Sequence, residues 1–155
     1  MSARLTPFPQ LSTIREVLMP HQTALPASHA IPCLRYDDAN AAISWLVDAL
    51  GAEAIHVYPG PDDTVAHAEL WFGDACVMLG SNGVGSLPPV PAGQGAVYVV
   101  LRGEAAVDAL HDRARAAGAR IVIELHDASY GSRDFTCADP EGNTWSFGSY
   151  APSRG

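Results

Sequence analysis

Apolar and polar positions alternate along the chain in a way that predicts short strands and two helices. The clearest stretch is Tyr130 to Tyr150, YGSRDFTCADPEGNTWSFGSY, which reads as strand, tight turn, strand. Arg133 to Ala138 is the first arm, Asp139-Pro140-Glu141-Gly142 the turn, and Asn143 to Gly148 the second arm. Pro140 presets a turn backbone angle, and Gly142 supplies the positive φ that most residues resist. Alternation puts Trp145 and Phe147 on one face, with Thr144, Ser146 and Gly148 on the other.

The same patterning extends upstream. Ala30 to Tyr36 predicts a strand, and Asp37 or Asp38 caps a helix running to about Leu50. Ile43, Leu46, Val47 and Leu50 recur at helical spacing, and Gly51 stands where a left-handed residue ends a helix. Strands follow at Glu53 to Tyr58, Thr64 to Phe72 and Ala75 to Leu79, separated by turns at Pro59 to Asp63 and Gly73-Asp74. Gly80 to Gly95 is rich in Gly, Ser and Pro and reads as a linker. Beyond it come a strand (Ala96 to Arg102), a helix (Glu104 to Ala117) and a strand (Arg120 to Leu125) before the final hairpin. Val107, Leu110, Ala114 and Ala117 share one face of that helix, and Gly118 ends it.

The two halves repeat. Gly51 and Gly118, Leu34 and Leu101, and Arg35 and Arg102 each lie 67 positions apart, and Gly80 and Gly148 lie 68 apart. A βαβββ unit therefore occurs twice, at 30–80 and 95–149. Each unit covers one sheet face with a helix and leaves the other bare, and two units side by side can curl their bare faces into a cup. The predicted fold is α+β: two tandem βαβββ units forming a cupped mixed sheet with the helices on its outer face. Residues 30–150 form one domain on this reading, after an arm at 1–29 and before a tail at 151–155. The arm is punctuated by Pro7, Pro9, Pro20 and Pro26, with a short helix expected from about Ile14 to Met19. Thr13 and Glu16 have capping-box spacing at its start.

Composition narrows the partners. The 155 residues are 48% hydrophobic and 17% charged, values of a globular chain, with a net charge of -8. Scattered basic residues and negative charge argue against nucleic acid and against an anionic membrane surface. No apolar run reaches membrane-spanning length, and no export signal follows Arg4. Cys33, Cys76 and Cys137 are odd in number and lie in apolar segments, which predicts buried free thiols and a cytoplasmic protein.

The paired units, the YGSRDF-x-x-x-DPEGN-x-WSFG ending and HAELWFGD before the first closing strand resemble the vicinal oxygen chelate superfamily. Its members include glyoxalases, ring-cleaving dioxygenases, epimerases and bleomycin-resistance binding proteins. The resemblance spans Ala30 to Tyr150. Metal-dependent members place His, Gln or Glu on four strands, pointing into the cup. The corresponding positions here hold Ile31, Met78, Ala96 to Tyr98, and Ser146, none suited to a divalent metal held by imidazole and carboxylate. The resemblance thus implies a metal-free, cofactor-free, ligand-binding relative of the bleomycin-resistance proteins, paired as a homodimer with cups completed across subunits.

Strand parity then assigns the expected cup. Cys33 and Arg35 follow Ile31 inward; Met78, Tyr98 and Ser146 stand at the carried-over positions. Asp134 and Thr136 face inward because Phe135 needs burial, and their repeat partners His67 and Glu69 go with them, joined by Trp71. Ligand binding is assigned to Cys33, Arg35, His67, Glu69, Trp71, Met78, Tyr98, Asp134, Thr136 and Ser146. Arg35 either clamps an anionic ligand or neutralises Glu69 or Asp134. Trp71 and Tyr98 either stack on a flat ligand or pack. Tyr130 and Ser132 form either a flap or a turn. His67 and Glu69 are a structural couple or, in the alternative reading, the centre of a metal-dependent lyase, isomerase or dioxygenase. The other histidines, His111 among them, read as surface residues.

Overall fold

The computed structural model describes residues 30–153. The arm helix and its capping box, with His21 and His29, lie outside them. The element order is β1 (Cys33–Tyr36), α1 (Ala39–Leu50), β2 (Glu53–Pro59), β3 (Val65–Phe72) and β4 (Ala75–Ser81), then β5 (Ala96–Val100), α2 (Glu104–Ala116), β6 (Arg120–Ala128), β7 (Ser132–Ala138) and β8 (Thr144–Gly148). The helices form where the apolar spacing predicts them. Asp38 is the cap of α1, its side chain accepting from the Ala41 amide at 2.9 Å, and Gly51 ends the helix with φ 70°.

Each repeat folds into its own four-stranded mixed sheet, ordered β1-β4-β3-β2 and β5-β8-β7-β6. Within each, the first strand pairs in parallel with the last, and the remaining pairs are antiparallel. The predicted pair of βαβββ units is thus realised as two sheets, one from each unit. A parallel partner cannot follow through a tight hairpin, so the helix and two further strands carry the chain back. Helix-bearing faces of both sheets share one core, where Phe72 meets Trp145 and Phe147 at centroid distances of 5.6 and 5.7 Å.

Packing corrects several expectations. The buried stripe of α1 is Ala39, Ala42, Leu46, Ala49 and Leu50, with Val47 only half-buried. Small alanines let this helix sit close to its sheet, so its contact line is set by size as well as by hydropathy. On α2 the buried residues are Val107, His111 and Ala114, whereas Ala117 is exposed. His111 is therefore a core residue, edge-on to Phe135 at 5.2 Å with Nε2 3.4 Å from Glu124. The three thiols are free, but only Cys137 is buried; Cys33 is exposed and Cys76 intermediate.

A buried carboxylate joins the repeats. Asp139, in the β7–β8 turn, accepts from Tyr36 Oη at 2.7 Å, from Asn143 Nδ2 and Trp145 Nε1 at 3.1 Å, and from the amides of Glu141 and Asn143 at 3.0 Å. Burial and then the Asp139 charge push the Tyr36 phenol well up, so it stays a donor. Glu141 accepts from the amides of Asp37 and Asp38 at 3.0 and 2.7 Å, supplying partners just before α1.

Candidate functional site

Strand parity places all ten expected site residues on the sheet faces away from the helices. Leu34, Tyr36, Val65, Ala68, Leu70, Val77 and Leu79 fill the core in the first repeat, and Val97, Val99, Phe135, Cys137, Trp145 and Phe147 in the second. The intervening residues go to the bare faces. The structure places them in two groups, one on each sheet. No hydrogen bond or ion pair among the described residues joins the two groups.

On the first sheet, Cys33 pairs in register with Met78, Met78 with Glu69, and Trp71 with Cys76. Glu69 Oε1 lies 3.3 Å from His67 Nε2, and the His67 ring lies 6.0 Å from Tyr58. Desolvation, followed by the Glu69 charge, pushes the Cys76 thiol up. Arg35 neutralises neither Glu69 nor Asp134. Its Nη1 donates to the Ser81 carbonyl at 3.3 Å, and its buried Nε has no partner among the described residues. The guanidinium sits over Gly80, where an added Cβ would come within 2.8 Å of Nη1 and 3.0 Å of the Ala66 carbonyl.

On the second sheet the polar groups find one another. Thr136 Oγ1 and Ser146 Oγ are 2.8 Å apart. Asp134 is 7% exposed and accepts from Ser132 Oγ and Tyr130 Oη at 2.5 Å and from Tyr98 Oη at 3.3 Å. Tyr130 thus leaves its flap-or-turn ambiguity as a partner of Asp134, and Ser132 as another. Gly148 makes room below: a Cβ there would collide with Asp134 Oδ1 and Tyr98 Oη. Tyr98, Tyr130, Tyr150 and Pro152 line a cavity of about 420 Å³ at this end of the sheet.

Tyr150 and Gly148 are absent from the expected site. The available signal was the spacing of YGSRD and FGSY, which puts a tyrosine four residues before Asp134 and another two after Gly148. Chain return in the hairpin, which brings the two segments together, is not visible in either alone. A second cavity, about 490 Å³, lies between the β3–β4 turn and Val100 to Arg102. Its charged groups are the exposed Asp74–Arg102 pair, and it holds none of the candidate residues.

The donor set does not fit a resident divalent metal of the imidazole–carboxylate kind. Among the described residues no three His, Cys, Asp or Glu side chains converge. The positions that the resemblance reserves for ligands carry Ile31, the thioether of Met78, the Ala96 to Tyr98 stretch, and the alcohol of Ser146, which is already paired with Thr136. A family model for the Glyoxalase/Bleomycin resistance protein/Dioxygenase superfamily matches residues 27–147. The chain belongs to that superfamily. An uncharacterized protein of Mycobacterium bovis is 38% identical over 122 residues, covering 76% of this chain and 80% of that one. The superfamily fold recurs in TioX from Micromonospora sp. ML1, 30% identical over 81% of this chain and all of that one, with a TM-score of 0.64. It recurs also in lactoylglutathione lyase from Agrobacterium tumefaciens, 23% identical over 79% and 93% of the two chains, with a TM-score of 0.61. Superfamily membership accounts for the two βαβββ sheets and leaves the chemistry to the bare faces.

Proposed function

We propose that the protein binds a small organic molecule on its bare sheet faces without a resident metal, holding it rather than transforming it. The observation that carries this reading is the make-up of those faces. Apolar, aromatic and hydroxyl side chains stand where the resemblance expects metal ligands, beside a cavity of about 420 Å³ lined by three tyrosines. Apolar walls with a few polar groups are what small-molecule recognition requires. The ligand-facing set is Cys33, Arg35, His67, Glu69, Trp71 and Met78 on one sheet, and Tyr98, Asp134, Thr136 and Ser146 on the other.

A second copy of the chain completes the pocket on this proposal, placing the first sheet of one subunit opposite the second sheet of its partner. Exposed Ile123 on β6 and Tyr98 and Val100 on β5 lie on the bare face of the second sheet and support it, since burying such surface drives association. A monomeric mass by light scattering would remove this part. A cytoplasmic setting accords with an exposed free Cys33, and no described helix is long and apolar enough to cross a membrane.

The test is elemental analysis of untagged protein purified without chelator, followed by a thermal-shift ligand screen. Metal well below one equivalent, with a hit whose affinity drops in Trp71→Ala and Tyr98→Ala, is the expected result. The 3.3 Å contact of His67 with Glu69 favours one other reading, a metal-dependent lyase, isomerase or dioxygenase centred there. About one metal per chain, lost in His67→Ala, would establish that reading instead.

A further inference from the structure

We propose that the tyrosine-walled cavity of the second sheet is an aromatic cage for an organic cation, a quaternary or tertiary alkylammonium group. The inference rests on the ligand-binding reading and narrows it to a chemical class. Three observations carry it.

First, tyrosines supply three of the four residues that line the cavity. Tyr130 and Tyr150 meet at 5.6 Å between centroids with their planes 76° apart, forming a corner, and Tyr98 adds a further ring beside Pro152. Neutral apolar ligands are usually met by mixed aliphatic and aromatic walls. Walls made of ring faces attract positive charge through the ring quadrupole. Second, the corner is backed by an unbalanced carboxylate. Asp134 is buried, and no Arg or His side chain forms an ion pair with it among the described residues. Its partners are hydroxyls, two of them the phenols of the cavity walls at 2.5 and 3.3 Å. A phenol donating to a carboxylate gains electron density in its ring, which strengthens its attraction for a cation. Burial raises the Tyr98 phenol, and the hydrogen bond to Asp134 raises that of Tyr130, so both keep the proton they donate. Third, the arrangement is built in. Gly148 leaves the space that Asp134 Oδ1 and Tyr98 Oη occupy, and no larger residue fits there without displacing them.

The same geometry favours an organic cation over a bare metal ion. Both Asp134 oxygens already accept hydroxyl hydrogens, and ring faces supply no lone pairs. An alkylated ammonium needs neither: it is weakly hydrated, fits between rings, and takes its counter-charge through them. A chain net charge of -8 favours its approach.

The experiment uses the full chain and a matched pair of probes, choline and its uncharged carbon isostere 3,3-dimethylbutan-1-ol, titrated by ligand-observed NMR. Choline is expected to bind about tenfold more tightly, the ratio that one well-placed cation–π site supports. Tyr150→Leu keeps an apolar wall and removes a ring face, and should cost choline several-fold while leaving the alcohol nearly unchanged. Asp134→Asn should reduce the preference for charge. Equal affinity for both probes, still sensitive to Tyr150→Leu, would overturn the cage and keep the pocket. Silence of both probes would overturn the cage; the ligand-binding reading would fall with it only if the thermal-shift screen also gave no hit.

Discussion

Gly80 and Gly148 close the last strand of their respective repeats, and each makes room for a polar group crossing from a neighbouring strand. Over Gly80 lies Arg35, whose buried Nε has no partner among the described residues and whose Nη1 reaches one carbonyl. Over Gly148 lies Asp134, with three hydroxyl donors. The hairpin turns differ in the same sense. Asp74, in the β3–β4 turn, is exposed and pairs with exposed Arg102, whereas Asp139, in the β7–β8 turn, is buried with five donors. One backbone plan thus supports an open polar face in the first repeat and a tied one in the second. Duplicated topology specifies where side chains point; the chemistry depends on which partners each repeat supplies.

The sharpest way to break this contrast is at the turns. Asp139→Ala strands several buried donors and should cost on the order of 4 kcal/mol in urea unfolding. A cost below about 1 kcal/mol would show that water replaces the carboxylate and that the second turn is no more tied than the first.

Glycine substitution comes next. Gly148→Ala should destabilise by about 2 kcal/mol and break the Tyr98–Asp134 bond, because the added methyl meets a carboxylate held by three donors. Gly80→Ala should cost about 1 kcal/mol, since the Arg35 head group can swing aside while the Ala66 carbonyl yields only slightly. Equal costs in paired thermal melts would mean that the second face is as adaptable as the first.

Alkaline pH offers a subtler probe of the second repeat. Burial, aided by the Asp139 charge, pushes Cys137 from 9.0 up to about 12, and the Tyr36 phenol is raised by burial and the same carboxylate. Both groups keep their protons in the folded state at pH values where the unfolded chain loses them. The unfolded state then binds fewer protons, so stability falls as pH rises. For Cys137 the loss runs from about 9 to about 12, with a slope approaching about 1.4 kcal/mol per pH unit. Urea midpoints measured from about pH 8 to about pH 11 should decline, less steeply near pH 9 in Cys137→Ala. A flat profile would mean that the buried thiol ionises freely in the folded protein.

The smallest effect is expected at the first turn. Asp74→Ala removes an ion pair whose side chains are 78% and 90% exposed, and should change stability by less than about 0.5 kcal/mol. A larger loss would mark that turn as a clamp in its own right.

Which face of each core strand is buried was legible in the alternation of its residues. Period-two alternation is local, and a valine-rich or Trp/Phe set can bury only one way round, so Val97, Val99, Trp145 and Phe147 assigned their own strands and, through the 67-residue repeat, those of the partner unit. The limits of α1 were legible too, from the Asp37-Asp38 pair at its start and Gly51 at its end. Contacts across strands and loops were not. His111 gives no sign in α2 that Phe135 will cover it, and Tyr130 and Tyr150 lie 20 positions apart until β7 and β8 fold back and bring their rings together. Arg35 likewise reads as a partner for Glu69 or Asp134, and only the parallel register of β1 with β4 sets it over Gly80 beside the Ser81 carbonyl. The sequence by itself determined the repeated fold and the facing of its strands, because these follow from spacing along one segment. Tertiary structure decided which polar groups meet, because hydrogen bonding at about 3 Å depends on register and chain return between segments far apart in sequence.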